Sequence, residues 1–407
     1  MKSPSLLRTE WTWLIVGATA LLFQFFGDAW TADLTSPLKL GGIFVWLFVV
    51  ILLAAFNVVR HADALAIKLG EPLGTLILTL SVISIEVLMI SAVMLTGSNQ
   101  PTLGRDTMFA VTMIVLNGLV GLALIVGGLK HREQSYNLRG ANAYLAVILP
   151  LAILGLVLPS FTQSTDDGTL TSGQAIIFIV IFLALYLVFL AIQTVRHREL
   201  FISPNKPVTT TVGNTTAEHT DTGAHEVLAN DSAASSDDGT DAGADHEGDH
   251  DEHAGLVIRP IWVHSALLLA YLIPVVILSK QLAYPIDYAI EVSQAPVALG
   301  GFIVALLILS PEAMSGLRAA ASNRLQRSVN LYLGSIAATI GLTIPAILTI
   351  GLLTGNSVIL GLDPTDIILL AITLAVSMLT FESKRTNVLH GAVHLVLFAT
   401  YLVVLFD

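Results

Sequence analysis

The sequence predicts an all-α, polytopic membrane protein of about eleven transmembrane helices, built as two inverted five-helix repeats behind an extra N-terminal helix. Three observations predict it. Of 407 residues, 54% are hydrophobic and 12% charged, too apolar for a soluble chain of this size. Apolar runs long enough to cross about 30 Å of hydrocarbon recur along the chain. Two of those runs, one in each half, share a pattern that ends in a carboxylate.

Taken in order, the runs fall at about 11–27, 39–57, 72–97, 107–129, 141–159 and 173–195, then at 261–280, 296–317, 328–353, 364–380 and 388–406. The first follows Lys2 and Arg8, as a signal peptide would. Trp11, Trp13 and Trp30 bracket it like interfacial anchors, however, and no convincing small-residue cleavage site follows, so it is read as a span. The domain boundaries that result are 1–38 for the N-terminal segment with span 1, 39–198 for the first repeat, 199–259 for a hydrophilic loop and 260–407 for the second repeat. Cysteine is absent, which removes disulfides and thiolate metal sites.

Orientation follows from the basic residues. The N-terminus and the connections after spans 2, 4, 6, 8 and 10 hold sixteen of the nineteen Lys and Arg. The opposite set holds Lys39, Arg105 and Lys280. The positive-inside rule places the first set, with the N-terminus, in the cytoplasm and Asp407 outside. Spans 2–6 and 7–11 then have inverted topology. Polar groups where such halves meet are how many secondary transporters build a site at the bilayer midplane.

The net charge of −11 belongs to one segment: residues 203–254 carry twelve Asp and Glu against Lys206. Acidic, Thr/Ser-rich and without apolar periodicity, this loop reads as disordered and cytoplasmic. Its charge gives no reason to expect a nucleic-acid partner. His219, His225, His246, His250 and His253 within it raise the alternative of a metal- or pH-sensing element, or of a channel regulated by one. In that case deleting 205–252 would remove the response. A solvated linker that concentrates cations by its potential is the plainer account.

The repeated pattern runs from Gly74 to Glu86 and from Gly300 to Glu312. Aligned without gaps, the two share Gly74/Gly300, Ile77/Ile303, Leu80/Leu306, Ser84/Ser310 and Glu86/Glu312. A carboxylate in lipid-length apolar sequence is costly and marks a functional site by default. The plain alternative, a Glu that merely bonds a neighbouring helix, weakens when two occur at matched positions. Two neighbouring buried carboxylates hold protons tightly, and a cation between them displaces those protons. One pair that binds either cation or protons is the core of an exchanger. Calcium wants six to eight oxygens, so Ser84, Ser310, Ser81 and carbonyls freed near Pro311 are candidate further ligands. Asn330, Ser335 and Thr339 share one side of span 9, where small polar residues more often serve packing. Asn117 is the polar residue at the centre of span 4. His390 and His394 have soft-metal spacing but no third ligand, and Arg60, His61 and Asp63 read as a solvated helix end. A weaker echo links Tyr136–Ala141 with Thr386–Ala392. No nucleophile and base pair within one span, so nothing points to an enzyme.

These residues resemble the cation/proton exchanger branch of the calcium/cation antiporter superfamily. The likeness is carried by Val58-Val59-Arg60-His61-Ala62-Asp63, Leu69-Gly70-Glu71-Pro72 and Leu80 through Val87. In the second half it is carried by Ala295-Pro296-Val297-Ala298, Phe302 through Glu312 and Arg385-Thr386-Asn387-Val388-Leu389. The resemblance implies ten core helices in two inverted repeats plus a first helix, in a bacterial inner membrane. It implies exchange of cytoplasmic Ca2+, and of Na+ or K+, for external H+, with no cofactor. Glu86 and Glu312 match the family's cation- and proton-carrying acids, and Ser335 matches a further ligand. One departure stands out: Val82-Ile83 and Ile308-Leu309 occupy places where the family has Asn or Gly-Thr-Ser.

Overall fold

The structure, a computed structural model, describes residues 6–70, 73–94, 101–165, 167–201, 259–383 and 385–406. Pro72, Lys206 and the histidines of the acidic loop lie outside them. Among the described residues eleven helices stand where the eleven apolar runs fall. They are α1 Trp11–Thr31, α2 Pro37–Leu69, α3 Leu73–Met94, α4 Leu103–His131, α5 Leu138–Phe161 and α6 Ser172–Arg196. The second half follows as α7 Ile261–Ser293, α8 Ala298–Ala321, α9 Leu325–Thr354, α10 Pro364–Thr380 and α11 Val388–Val404.

The inverted repeat shows in matched elements. The first helix of each half, α2 and α7, has 33 residues. They make the most extensive helix–helix contact among the described residues. At about 1.5 Å per residue each is roughly 50 Å long, well beyond the hydrocarbon thickness, so both overrun the expected spans 39–57 and 261–280. The third helices, α4 and α9, each contain a π-helical turn, at Ile114–Leu119 and Thr339–Thr343. These begin 28 and 27 residues after Glu86 and Glu312 respectively. A π-turn leaves backbone carbonyls without their usual partners, and such turns recur at functional sites.

Loop contacts gather at two ends, as the alternation of basic residues requires. At the arginine-rich end His131 donates to the Ala321 carbonyl, Gln134 to Asn323, and the Asn137 N–H to Gln326. At the other end Arg105 reaches Asp106 and the Gly361 carbonyl, while Leu360 and Gly361 donate to Gly168 and Leu362 to Leu156. The echo between Tyr136–Ala141 and Thr386–Ala392 has a local cause. A five-span repeat would pair α5 with α10, not with α11. Instead β1 (Gln134–Ser135) and β2 (Arg385–Thr386) form an antiparallel ribbon, and Asn137 and Asn387 cap the helices that follow. Both stretches carry the same N-cap chemistry, in which an Asn oxygen accepts the first free N–H groups.

Span 1 is held to α7 by Thr12 on the Tyr271 hydroxyl at 2.8 Å and by Trp13 on the Ala270 carbonyl. Here His61 departs from its reading as a solvated helix end: it is buried. Its partners fix its proton. The Arg259 N–H donates to His264 Nε2, so neutral His264 donates from Nδ1 to His61 Nδ1 at 3.1 Å. His61 then donates from Nε2 to Glu10, which also binds Arg60 and accepts from Tyr271. Burial pushes the Glu10 carboxyl up, but the His61 hydrogen bond and the Arg60 charge outweigh it and hold it below the ordinary carboxylate range. Glu10 therefore adds stability that is complete above its unfolded value of about 4.3 and lost as pH falls through the lower folded value. Between pH 5 and pH 3, thermal unfolding midpoints in detergent are expected to fall more steeply for the native chain than for Glu10→Gln.

Candidate functional site

The site is built on three helices. α8 packs against α4 so closely that a Cβ on Gly301 would stand 2.8 Å from the backbone of Asp106 and Thr107. α9 lies over α8 with the Tyr332 ring in the space left by Gly316, its hydroxyl donating to the Ala313 carbonyl at 3.1 Å. Glu312 projects between them, one residue after Pro311. That proline lacks the N–H that would bond the Leu307 carbonyl. α3 brings Glu86 to the same face of α9, one turn further along.

Both carboxylates are buried, Glu86 completely and Glu312 to 7% exposure. The Thr339 hydroxyl donates to Glu86 Oε2 at 2.9 Å, and the Ser335 hydroxyl to Glu312 Oε1 at 3.2 Å. Residues four apart lie on one helix face, about 6 Å apart along the axis, so α9 holds the two acids one turn apart. Depth along the helices agrees. Glu312 and Ser335 lie roughly 14–15 Å from the arginine-rich ends of α8 and α9, and Glu86 and Thr339 roughly 20–21 Å from those of α3 and α9. The two acids are within electrostatic reach of one another. Glu86 Oε1 and Glu312 Oε2 have no hydrogen-bond partner. A buried carboxylate oxygen in that condition costs about 1–3 kcal/mol or more. A proton or a cation on each would relieve it.

A cavity of about 420 Å³ leads to this pair. Glu312, Ser335 and Thr339 line its deep end, and Asp63, Gln193, Arg327 and Asn330 line it near the arginine-rich helix ends. Asp63, read from sequence as a solvated helix end, thus sits on the path to Glu312.

The other candidates lie elsewhere. Ser81, Ser84 and Ser310 donate to the carbonyls four residues back, Ile77, Leu80 and Leu306, at 2.6–2.7 Å, and none lines the cavity. Asn117 donates to Thr373 at 2.8 Å, and its oxygen faces His394 Nδ1 at 3.3 Å. His394 Nε2 accepts from Thr380 at 3.0 Å. This buried set ties α10 and α11 to the π-turn of α4, and it uses His394 in hydrogen bonding. Thr339 was noted in the sequence only as one of several small polar residues. Its spacing of four from Ser335 was the signal for its role beside Glu86.

Comparison with known proteins agrees with this architecture. The family model described as sodium/calcium exchanger protein matches residues 39–195 and 263–406. The chain is 39% identical over 399 residues to the sodium-potassium/proton antiporter ChaA of Escherichia coli (strain K12), covering 98% of this chain and 97% of that one. Among solved structures, native YfkE superposes with a TM-score of 0.67 at 17% identity, covering 97% and 99% of the two chains. The H+/Ca2+ exchanger CAX gives 0.62 at 13% identity, covering 97% and 88%. With the fold, the two matched acids and these likenesses together, the chain belongs to the sodium/calcium exchanger family of membrane antiporters.

Proposed function

We propose that this chain is a secondary antiporter that exchanges cytoplasmic Ca2+, Na+ and K+ for external protons, with Glu86 and Glu312 binding cation and protons in turn. The observation that carries this reading is the placement of both carboxylates on one face of α9, each with one oxygen unpartnered. The sodium-potassium/proton activity named for the Escherichia coli relative supports the monovalent substrates. The pair's combined charge supports the divalent one. Ser335 and Thr339 supply hydroxyl ligands in this reading. With the two free carboxylate oxygens they fall short of the six to eight that Ca2+ takes, so water in the cavity supplies the rest. Ser81, Ser84, Ser310 and Asn117 then serve helix packing. In this reading the arginine-rich end, where the cavity to Glu312 begins, faces the cytoplasm by the positive-inside rule.

Charge in a buried site must be close to neutral. Two protons, one Ca2+, or one Na+ with one retained proton each neutralise the pair. Exchange is therefore two protons per Ca2+ and one per Na+, electroneutral in both cases. Imposing a membrane potential of either sign on potassium-free vesicles with a permeant-anion gradient is expected to leave initial Na+ and Ca2+ exchange rates unchanged. A potential-driven rate would overturn that stoichiometry. The defining experiment is proton release from acid-loaded inverted vesicles on addition of Ca2+, Na+ or K+. Release by none of the three would remove the proposed function.

Thr339→Val keeps shape and removes the hydroxyl from Glu86. Loss of a hydrogen bond to a buried charged group is worth about 1.5–3 kcal/mol, so apparent cation affinity is expected to weaken by roughly 10-fold or more. Thr339→Ser should restore it. Equal affinities for all three forms would separate Thr339 from the site.

A further inference from the structure

A second polar cavity, of about 320 Å³, lies between α1, α3 and α7. It is lined by Gln24, Asp28, Lys280 and Gln281, with Ala92, Val276 and Ile277 as its apolar wall. Asp28, Ala92 and Lys280 stand roughly 26–28 Å along their helices from the arginine-rich end. That is about the hydrocarbon thickness, so the cavity sits at the far headgroup boundary. It is distinct from the acid pair: the turn of α3 beyond Glu86 carries Met89 and Ile90, both buried.

The chemistry of the lining is mixed. Asp28 and Lys280 carry opposite charge, yet no ion pair joins them among the described residues. Gln281 is buried, and its Oε1 has no hydrogen-bond partner. Its Nε2 reaches Asp28 at 3.4 Å. Space for it is built in, because a Cβ on Gly27 would stand 2.6 Å from the Gln281 amide. On the same helices, within four residues of cavity-lining positions, Leu21, Phe25 and Ile273 are 62%, 77% and 62% exposed, an apolar surface available to lipid.

A lone metal ion fits this poorly, since Lys280 repels it and the space far exceeds one ion. A group with one ammonium and one phosphate meets every feature. We propose that this cavity binds the headgroup of a zwitterionic aminophospholipid of the outer leaflet. The ammonium donates to Asp28 and to Gln281 Oε1. The phosphate accepts from Lys280 and from the Gln24 amide, and the acyl chains lie over Leu21, Phe25 and Ile273. Span 1, outside the two repeats, thereby becomes half of a lipid site.

Native mass spectrometry of the full-length protein tests this, with phosphatidylethanolamine, phosphatidylcholine and phosphatidylglycerol of identical acyl chains. The choline head has no N–H to donate, and the glycerol head has no cation. Ethanolamine lipid is expected to bind about tenfold more tightly than either, the worth of one charge-assisted hydrogen bond. Asp28→Asn, at an exposed position, should abolish that preference, whereas Lys280→Gln, also exposed, should weaken binding of all three lipids through their shared phosphate. The chain lacks cysteine, so Gln24→Cys supplies a single thiol, whose maleimide labelling should slow in ethanolamine-lipid vesicles and not in choline-lipid ones. Equal binding of the three lipids, or labelling indifferent to headgroup, overturns the proposal. So does tighter occupancy in Lys280→Gln with displacement by Ca2+ or Na+, which would identify a cation instead.

Discussion

Glu86→Gln and Glu312→Gln are each expected to abolish cation-dependent proton release in inverted vesicles while the protein still folds. Glutamine keeps the shape and removes both the charge and the titrating proton. Removing one charge from a buried, matched set costs about 3–5 kcal/mol. That is more than 100-fold in cation affinity, before the lost proton carrier is counted. The two variants should differ in one respect. Glu312 lines the cavity and Glu86 does not, so a cation from the arginine-rich side meets Glu312 first. Glu86→Gln is therefore expected to retain weak cation binding, measurable by calorimetry, whereas Glu312→Gln loses it. Undiminished exchange in both would remove the mechanism altogether.

Gly301→Leu is expected to cost a large share of the folded protein. Its side chain would enter the backbone of Asp106 and Thr107, and backbone cannot rotate away as a side-chain tip can. Overpacking in a filled interior costs about 1–3 kcal/mol and more where nothing yields. The helix displaced is the one that carries Glu312 three turns further on. Size-exclusion profiles in mild detergent should show loss of the monodisperse peak, and any residual folded protein should exchange poorly. Gly41→Leu is the control, because nothing lies within 4 Å of a Cβ there. A stable, active Gly301→Leu would show that α8 can move off α4 without consequence.

The helices and the two acids were readable because lipid imposes long apolar runs and makes a carboxylate within them conspicuous. The lengths of α2 and α7 were not. Their extensions carry Arg60, His61, Asp63 and Lys68 in one, and Pro285, Asp287 and Glu291 in the other. Hydropathy counts those as loop, while contact between the two helices and the hydrogen bonds around His61 keep them helical. The serine two residues before each glutamate was conspicuous for the wrong reason. In apolar surroundings the nearest acceptor for a serine is its own helix, and both hydroxyls use it. The hydroxyls that do reach the acids come from α9, and a pattern search within α3 and α8 has no means of finding a partner 253 residues away. The sequence likeness of Tyr136–Ala141 to Thr386–Ala392 recorded shared capping, which repeats wherever an asparagine starts a helix.

The short ribbon of β1 and β2 has a mechanical meaning. Gln134 pairs with Thr386 and Ser135 with Arg385, and Arg385 also reaches Glu133 at 3.0 Å. This fastens the root of α4 and α5 to the root of α10 and α11, joining the two halves by a hinge-free strap at one rim. A body so stitched resists shear within itself. The strap leaves the two 33-residue helices α2 and α7 untouched, so in the proposed exchange a change of access falls to them rather than to the bodies it joins.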